Sequence, residues 1–500
     1  MYKLHLILKY LRKRRIAWVS LAAVTLCTAM VLVVISVMGG WVNMFLKTSQ
    51  ELEGDIIITR MSDTGFAHYD EIMDQVRKLP QVTAAVPAII TFGLANFDGQ
   101  YRDKVEVRAY GDLDQVGKVN SFFKGLYRQY QEPMEEIDQD TSLSAAEKAK
   151  RKAELIDKGP SFDKPLDAET YKEYLPGKNI DASTLPGCIP GTRLIILPGA
   201  DGKMNRGPGI YTDWVQLTVG DLRSVESVTP SLATSTYWII DDCKTNFFPV
   251  DQTTIYVPFD KLQRDAGMAA ENYMEKVDGQ LVPHVDPARV SEIEVGVAEP
   301  AKSSAKDLAA VCAAIQKIVD DVQSKYELSG TSDPVEAQTW DQKQAQYTGA
   351  ILHEEVLLVF LFGIVSVVAF FLIFCVFYMI VAEKTRDIGI IKSVGASNMG
   401  VAEIFLGYGL TIGVLGGGAG FLLAYLVVHN INQIHAWLGR ELGIVIWDPR
   451  TYIFETIPNV MQARDIAWIV SVAILSAVLG AMIPAIRAAR LNPVEAFRWE

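Results

Sequence analysis

Four apolar runs constrain this chain more than anything else in it, at residues 16–40, 356–381, 401–428 and 466–486. Each is long enough to cross a bilayer as a helix, since about 20 apolar residues span the roughly 30 Å of hydrocarbon. Half of the 500 residues are apolar and the mean hydropathy is +0.17, too apolar for an ordinary soluble enzyme and too polar for a chain held wholly in lipid. A membrane anchor joined to a soluble domain satisfies both. Lys9, Arg12, Lys13, Arg14 and Arg15 precede the first run as they would in a signal peptide. That run is too long for one, however, and no small-x-small site closes it. Leu26 stands where a lipoprotein signal ending at Cys27 needs a small residue, so the segment is expected to remain as a helix.

Basic residues set the orientation. Six Lys/Arg and no acid lie in residues 1–15, which places the N-terminus in the cytoplasm by the positive-inside rule. Crossing at each run then puts Lys384, Arg386 and Lys392 inside, and Arg487, Arg490 and Arg498 inside again. The fold expected is four transmembrane α-helices with a large α+β periplasmic domain inserted between helices 1 and 2. Residues 42–350 carry 32 basic and 48 acidic side chains, a net charge of −16, which argues against nucleic acid as a partner.

The segments follow from this. Residues 1–15 place Leu4, Ile7, Leu8 and Leu11 at helical spacing beneath a basic face, as in a helix lying on the inner leaflet. The periplasmic domain takes residues 41–355. Within it, strand-like alternation falls at 55–59, 104–110, 192–197, 214–219, 237–240, 254–257 and 292–297, with helical patterns at 69–79 and 305–326. Residues 128–186 turn to Glu, Lys, Asp and Gln with few large apolar groups, and Ser144 is placed to cap a charged helix; this reads as an insertion. Residues 382–400 form a cytoplasmic loop, 429–465 a periplasmic loop and 487–500 a cytoplasmic tail.

No acidic or basic residue sits near the centre of any run, which disfavours an ion-coupled transporter with a midplane site. Gly409, Gly413 and Gly417 fall four apart in the third run, with Gly416 and Gly420 on an adjacent stripe. Glycines at that spacing let helix backbones approach in lipid, and we read them as packing positions rather than a substrate groove. No GxxxxGK[ST] loop occurs, six scattered histidines form no catalytic set, and Cys188, Cys243 and Cys312 allow at most one disulfide and suggest no metal. An enzyme is not expected. In the loop after the second run, Ile388, Ile391 and Val394 recur at i, i+3 and i+6, with Lys384, Arg386, Asp387 and Lys392 for polar contacts. Such a helix can dock in a groove of a cytosolic partner, or the loop can rest on lipid headgroups.

The stretch EKTRDIGIIKSVGAS at 383–397 and the terminal IPAIRAARLNPVEAFRWE at 483–500 resemble the two cytoplasmic signatures of the FtsX/MacB permease superfamily. Within it the chain is most similar to the lipoprotein-releasing permeases LolC and LolE, through VVISVMGGW at 33–41, FFPVDQTTIYVPFDKLQ at 247–263, TWDQKQAQYTGAILHEE at 339–355 and YIFETIPNVMQARDIAW at 452–468. The resemblance implies a cytosolic ABC ATPase of the LolD or MacB type that binds ATP and Mg, leaving no cofactor in this chain. It also implies a second permease copy or paralogue, and a lipoprotein passed to a periplasmic carrier. ATPase coupling would fall to Glu383, Lys384, Arg386, Asp387, Ile388, Gly389, Ile391, Lys392, Val394 and Gly395. A MacB-like exporter of peptides or small molecules, and an FtsX-like scaffold that activates a cell-wall hydrolase, are the other functions the superfamily offers.

Overall fold

The computed structural model describes residues 15–62, 64–97, 100–163, 184–196, 206, 211, 213–222, 231–277, 280–326, 333–383, 385–444, 446–447 and 456–491. The expected helix at 1–15 lies outside them, apart from its last residue. The chain divides into two compact units, one from residues 1–45, 347–451 and 456–500 and the other from residues 46–346 and 452–455.

The second unit is α+β. Its main sheet has nine strands: β1 (Ile56–Arg60), β2 (Val82–Phe97), β3 (Gln100–Tyr110), β4 (Gly187–Pro190), β5 (Trp214–Gly220), β6 (Leu232–Ile239), β7 (Thr254–Tyr256), β8 (Glu292–Val297) and β9 (Val335–Thr339). Their order is β9-β1-β8-β2-β3-β7-β4-β6-β5, and β5 returns to pair with the far end of β2, so six strands close into a ring. The closure needs Gly93. A Cβ there would stand 2.7 Å from the carbonyl oxygen of Thr218, too close for any side chain. Successive residues of one strand serve two cores, as the period of two requires: Cys188, Tyr237 and Ile255 join one cluster, while Ile189, Trp238 and Tyr256 join the other. A separate hairpin pairs Glu271–Val277 with Gln280–Asp286.

Most expected strands and both expected helices are present. The exception is 192–197, where Ile and Leu suggest a strand and the structure has a single helical turn, Thr192–Ile195. Thr192 explains it, because its N–H donates to the Cys243 carbonyl at 2.8 Å and its hydroxyl donates to the Asp242 carboxylate, so a ladder is unavailable to it. Cys188, Cys243 and Cys312 are free thiols.

The charged stretch starts later than its composition indicates. The backbone N–H groups of Arg128 and Gln129 donate to the Asp241 carboxylate at 2.9 and 3.0 Å, and Tyr127 N–H to the Asp242 carbonyl at 3.0 Å, tying residues 127–129 to the sheet. Two short helices follow, Glu132–Gln139 and Ala145–Asp157, the latter opened by a Ser144–Glu147 capping box. Neither buries a described residue, and Phe162 then packs back against the core. Residues 164–183 lie outside the described residues. Helices that bury nothing gain little to offset ordering entropy, so limited trypsinolysis of the full-length protein is expected to cut first at Lys148, Lys150 or Arg151. Mass spectrometry of the earliest fragments reads this out, and first cuts elsewhere would contradict it.

The first unit is built from apolar helices. Trp18–Glu53, Asn398–His429 and Ala463–Arg490 are long and apolar enough to cross a membrane among the described residues. The remaining run, 356–381, lies on the helix Ala345–Glu383, of which Ile373–Glu383 is the described apolar stretch. The helices of this unit are, in chain order, α1 (Arg15–Glu53, its part up to residue 45), α2 (Ala345–Glu383), α3 (Thr385–Ser393), α4 (Asn398–His429), α5 (Ile431–Leu442) and α6 (Ala463–Arg490). Two features differ from expectation: the loop at 429–465 contains the helix α5, and α6 runs on to Arg490 where a tail was expected from 487. The Arg487 guanidinium lies over the Tyr378 ring at 4.6 Å and donates to its hydroxyl, which holds that last turn.

Candidate coupling site

Helix α3 is short because its ends are fixed. Thr385 Oγ1 donates to the carbonyls of Val381 and Ala382, turning the chain out of α2. At the other end Gly395 takes φ +104°, a conformation that favours glycine, and Ser397 caps α4 by accepting from Gly400 N–H at 3.1 Å. Ile388 is only 3% exposed and packs with Val381, Val401 and Ala488. Lys392 Nζ donates to the carbonyls of Ala489 and Leu491 at 2.8 and 2.7 Å, satisfying the C-terminal end of α6.

This re-sorts the residues expected to face a partner. Ile388 belongs to the chain's own core, because about two and a half turns wedged among α2, α4 and α6 must fill the gap between them. Gly389 is buried, Ile391 and Lys392 are half-buried, and Glu383, Val394 and Gly395 are exposed. Lys384 lies outside the described residues, as do the side chains of Arg386 and Asp387. The exposed apolar pair is Ile390 and Val394, at 46% and 84%, with Met399 beside them in sequence at 69%. Ile390 was missed because the i, i+3, i+6 count starts from Ile388 and skips it.

The glycines of α4 form two close approaches. A Cβ on Gly409 would stand 2.6 Å from the Ala481 Cβ, and one on Gly413 would stand 3.0 Å from the Ile474 Cα, so this stripe faces α6 at backbone distance. Gly417 is looser, at 3.5 Å from Val470. Gly416 and Gly420 meet Val24 and Thr28 of α1 at 2.8 and 2.7 Å. In lipid, where apolar surface gives helices no reason to associate, such packing supplies the attraction.

Residues 359–493, which hold α3, α4 and α6 to Arg490, match the family described as FtsX-like permease C-terminal. Over those residues the chain carries an FtsX-like permease domain. Among curated relatives, this FtsX-like permease is 28% identical over 169 residues to the lipoprotein-releasing system transmembrane protein LolC of Neisseria meningitidis serogroup B, covering 34% of this chain and 40% of that one. It is 27% identical over 128 residues to the LolE protein of Haemophilus influenzae, covering 26% and 31% of the two chains. The permease thus spans well under half the length of these relatives. The periplasmic region of MacB from Actinobacillus actinomycetemcomitans aligns with 59% of this chain and 92% of its own, at 8% identity and a TM-score of 0.24.

Outside the FtsX-like segment, the second unit of the chain holds a charge cluster that sequence reasoning missed. Lys343 Nζ donates to Glu292 Oε2 at 2.7 Å and lies 3.9 Å from Glu53 Oε2. Burial lowers the Lys343 pKa, but Glu292 and Glu53 outweigh it and hold the ammonium above its usual value. Glu294 is fully buried and accepts from Tyr110 Oη at 3.2 Å and Asn120 Nδ2 at 3.1 Å. Burial, with the Glu292 charge behind it, lifts its carboxyl well above the ordinary range. Asn120 also donates to the Leu52 carbonyl at 2.5 Å. The cluster gathers residues from 52 to 343, so no local motif announces it.

Proposed function

We propose that this chain is the permease subunit of an ABC-type mechanotransmission complex that extracts lipoproteins from the outer leaflet of the inner membrane and passes them to a periplasmic carrier. A separate cytosolic ATPase binds ATP and Mg, a second permease copy or paralogue completes the membrane part, and this chain crosses four times with both termini in the cytoplasm. The observation that carries the reading is the FtsX-like match over the segment in which α3 presents Ile390 and Val394 outward. LolC and LolE relatives support lipoproteins as the substrate class.

The exposed pair, rather than Ile388, then supplies affinity for the ATPase, and charges at the rim tune association rate. Val394→Asp is expected to abolish co-purification of the ATPase while the permease still inserts, because that side chain is 84% exposed and the change adds no charge to the described core. Lys384→Ala should retain the ATPase. Ile388→Asp places a charge in the permease's own core, and the expected loss there is of folded protein. Full ATPase recovery with both Ile390→Asp and Val394→Asp would overturn the assignment. For the substrate, depletion of the protein in its own cells should leave lipoproteins in the inner-membrane fraction, and normal sorting would remove that part of the reading.

A further inference from the structure

The loop between α4 and α6 holds one amphipathic helix that the proposed function does not use. At 100° per residue, Ile431, Ile434, Trp437, Leu438 and Leu442 fall on one side of α5, and Gln433, Ala436 and Arg440 on the opposite side. A third edge is pinned. Asn432 exchanges two hydrogen bonds with the backbone of Ile457, at 3.1 and 2.9 Å, and His435 Nε2 accepts from Trp447 N–H at 3.1 Å. These contacts fix the rotation of the helix and leave Ile434 38%, Trp437 52% and Leu442 57% exposed. Gly443 then turns the chain with φ +65°, Ile444 N–H donating to the Leu438 carbonyl at 3.2 Å, and Ile444 and Ile446 are left 50% and 59% exposed.

What covers this face follows from its position. Only Asn430 separates α5 from α4, whose 32 residues measure about 48 Å at 1.5 Å per residue against a hydrocarbon layer of about 30 Å. From Leu410 on, the outward side chains of α4, including Leu415, Leu422 and Leu426, are apolar up to its last turn, where Tyr425 stacks on His429 at 5.7 Å. The exposed face of α5 therefore continues a lipid-facing surface just past the end of a membrane-crossing helix, at the depth where indoles settle. We infer that α5 lies in the plane of the membrane at the His429 end of α4, with Ile434, Trp437 and Ile444 seated at the boundary between headgroups and acyl chains. Glu441, which shares the apolar side at the last turn, keeps the helix at headgroup depth. Arg440 and Gln433 face the water and phosphates.

The inference rests on α4 crossing the membrane, not on the substrate. The test places the photo-crosslinker benzoylphenylalanine, one site at a time, in the full-length protein reconstituted in phosphatidylethanolamine–phosphatidylglycerol vesicles, followed by mass spectrometry of the adducts. Positions 434, 437 and 444 are expected to give lipid adducts several-fold above positions 433, 436 and 440. Position 415, on the outward face of α4, is the control, and an absence of lipid adducts there would show that the crossing assignment itself is wrong. Lipid adducts at 415 with none above the polar positions at 434, 437 and 444 would overturn the inference. Adducts of those three with a second copy of the chain, in place of lipid, would also overturn it.

Discussion

Replacing Lys343 by methionine is expected to lower the unfolding temperature of the full-length protein, followed by intrinsic fluorescence in detergent, by roughly 10 °C, taking about 3 °C per kcal/mol for a unit of this size. The Glu292 side chain is 5% exposed and Lys343 is its partner at 2.7 Å. Removing one member of a buried pair leaves the other as an uncompensated charge, at a cost of about 3–5 kcal/mol. Glu292 Oε1 and Glu53 Oε2 already lack hydrogen-bond partners among the described residues, so no spare donor stands ready to take over. The double variant Lys343→Met with Glu292→Gln should recover much of the loss, because an amide has no charge to strand. A single variant within a degree or two of the parent would show that the pair contributes nothing net.

Gly413→Leu should do comparable damage to the membrane unit by a different route. The new Cβ would begin 3.0 Å from the Ile474 Cα and 3.2 Å from its carbonyl oxygen, and backbone cannot step aside as a side chain does. Overpacking of a close-packed core costs about 1–3 kcal/mol even where neighbours can shift, so α4 and α6 are expected to part. Gly418→Leu supplies the comparison, since nothing lies within 4 Å of a Cβ there. Both variants add the same side chain to the same helix. Size-exclusion profiles and melting temperatures should separate them clearly, and equal behaviour would show that the Gly413 approach does not hold the helices together.

How much of this was legible depended on whether the signal was local. The alternation that marks 214–219 and 292–297, and the helical spacing from 305, are written within a few residues, and the strands and helix are there. The glycine stripe of α4 could be read as a packing face because spacing alone puts 409, 413 and 417 on one side. Which helix each stripe meets could not be read, since Ala481 and Val24 lie far away in sequence. The Lys343–Glu292–Glu53 cluster had no signal at all, being scattered among dozens of other charges in an acidic domain. At 388–394 the period was seen but its sense was not, because an apolar side chain packs equally well inward or toward a partner. Helix α5 had the spacing of Ile431, Ile434, Leu438 and Leu442 and a glycine at 443 to end it, and was passed over because twelve residues between two long apolar runs read as connection.

The Lys392 ammonium gives α3 a mechanical character. Through two carbonyls it is fastened to the end of α6, while Ile388 is lodged against the ends of α2 and α4. Three long helices therefore share one small knuckle. If a partner docks on Val394 as proposed, its pull would not bend α3 alone but would reach three rods at their common end and spread over all of them. Substituting arginine for Lys392 would keep the charge but widen the joint, since a planar guanidinium fits the two carbonyls less closely than a compact ammonium does.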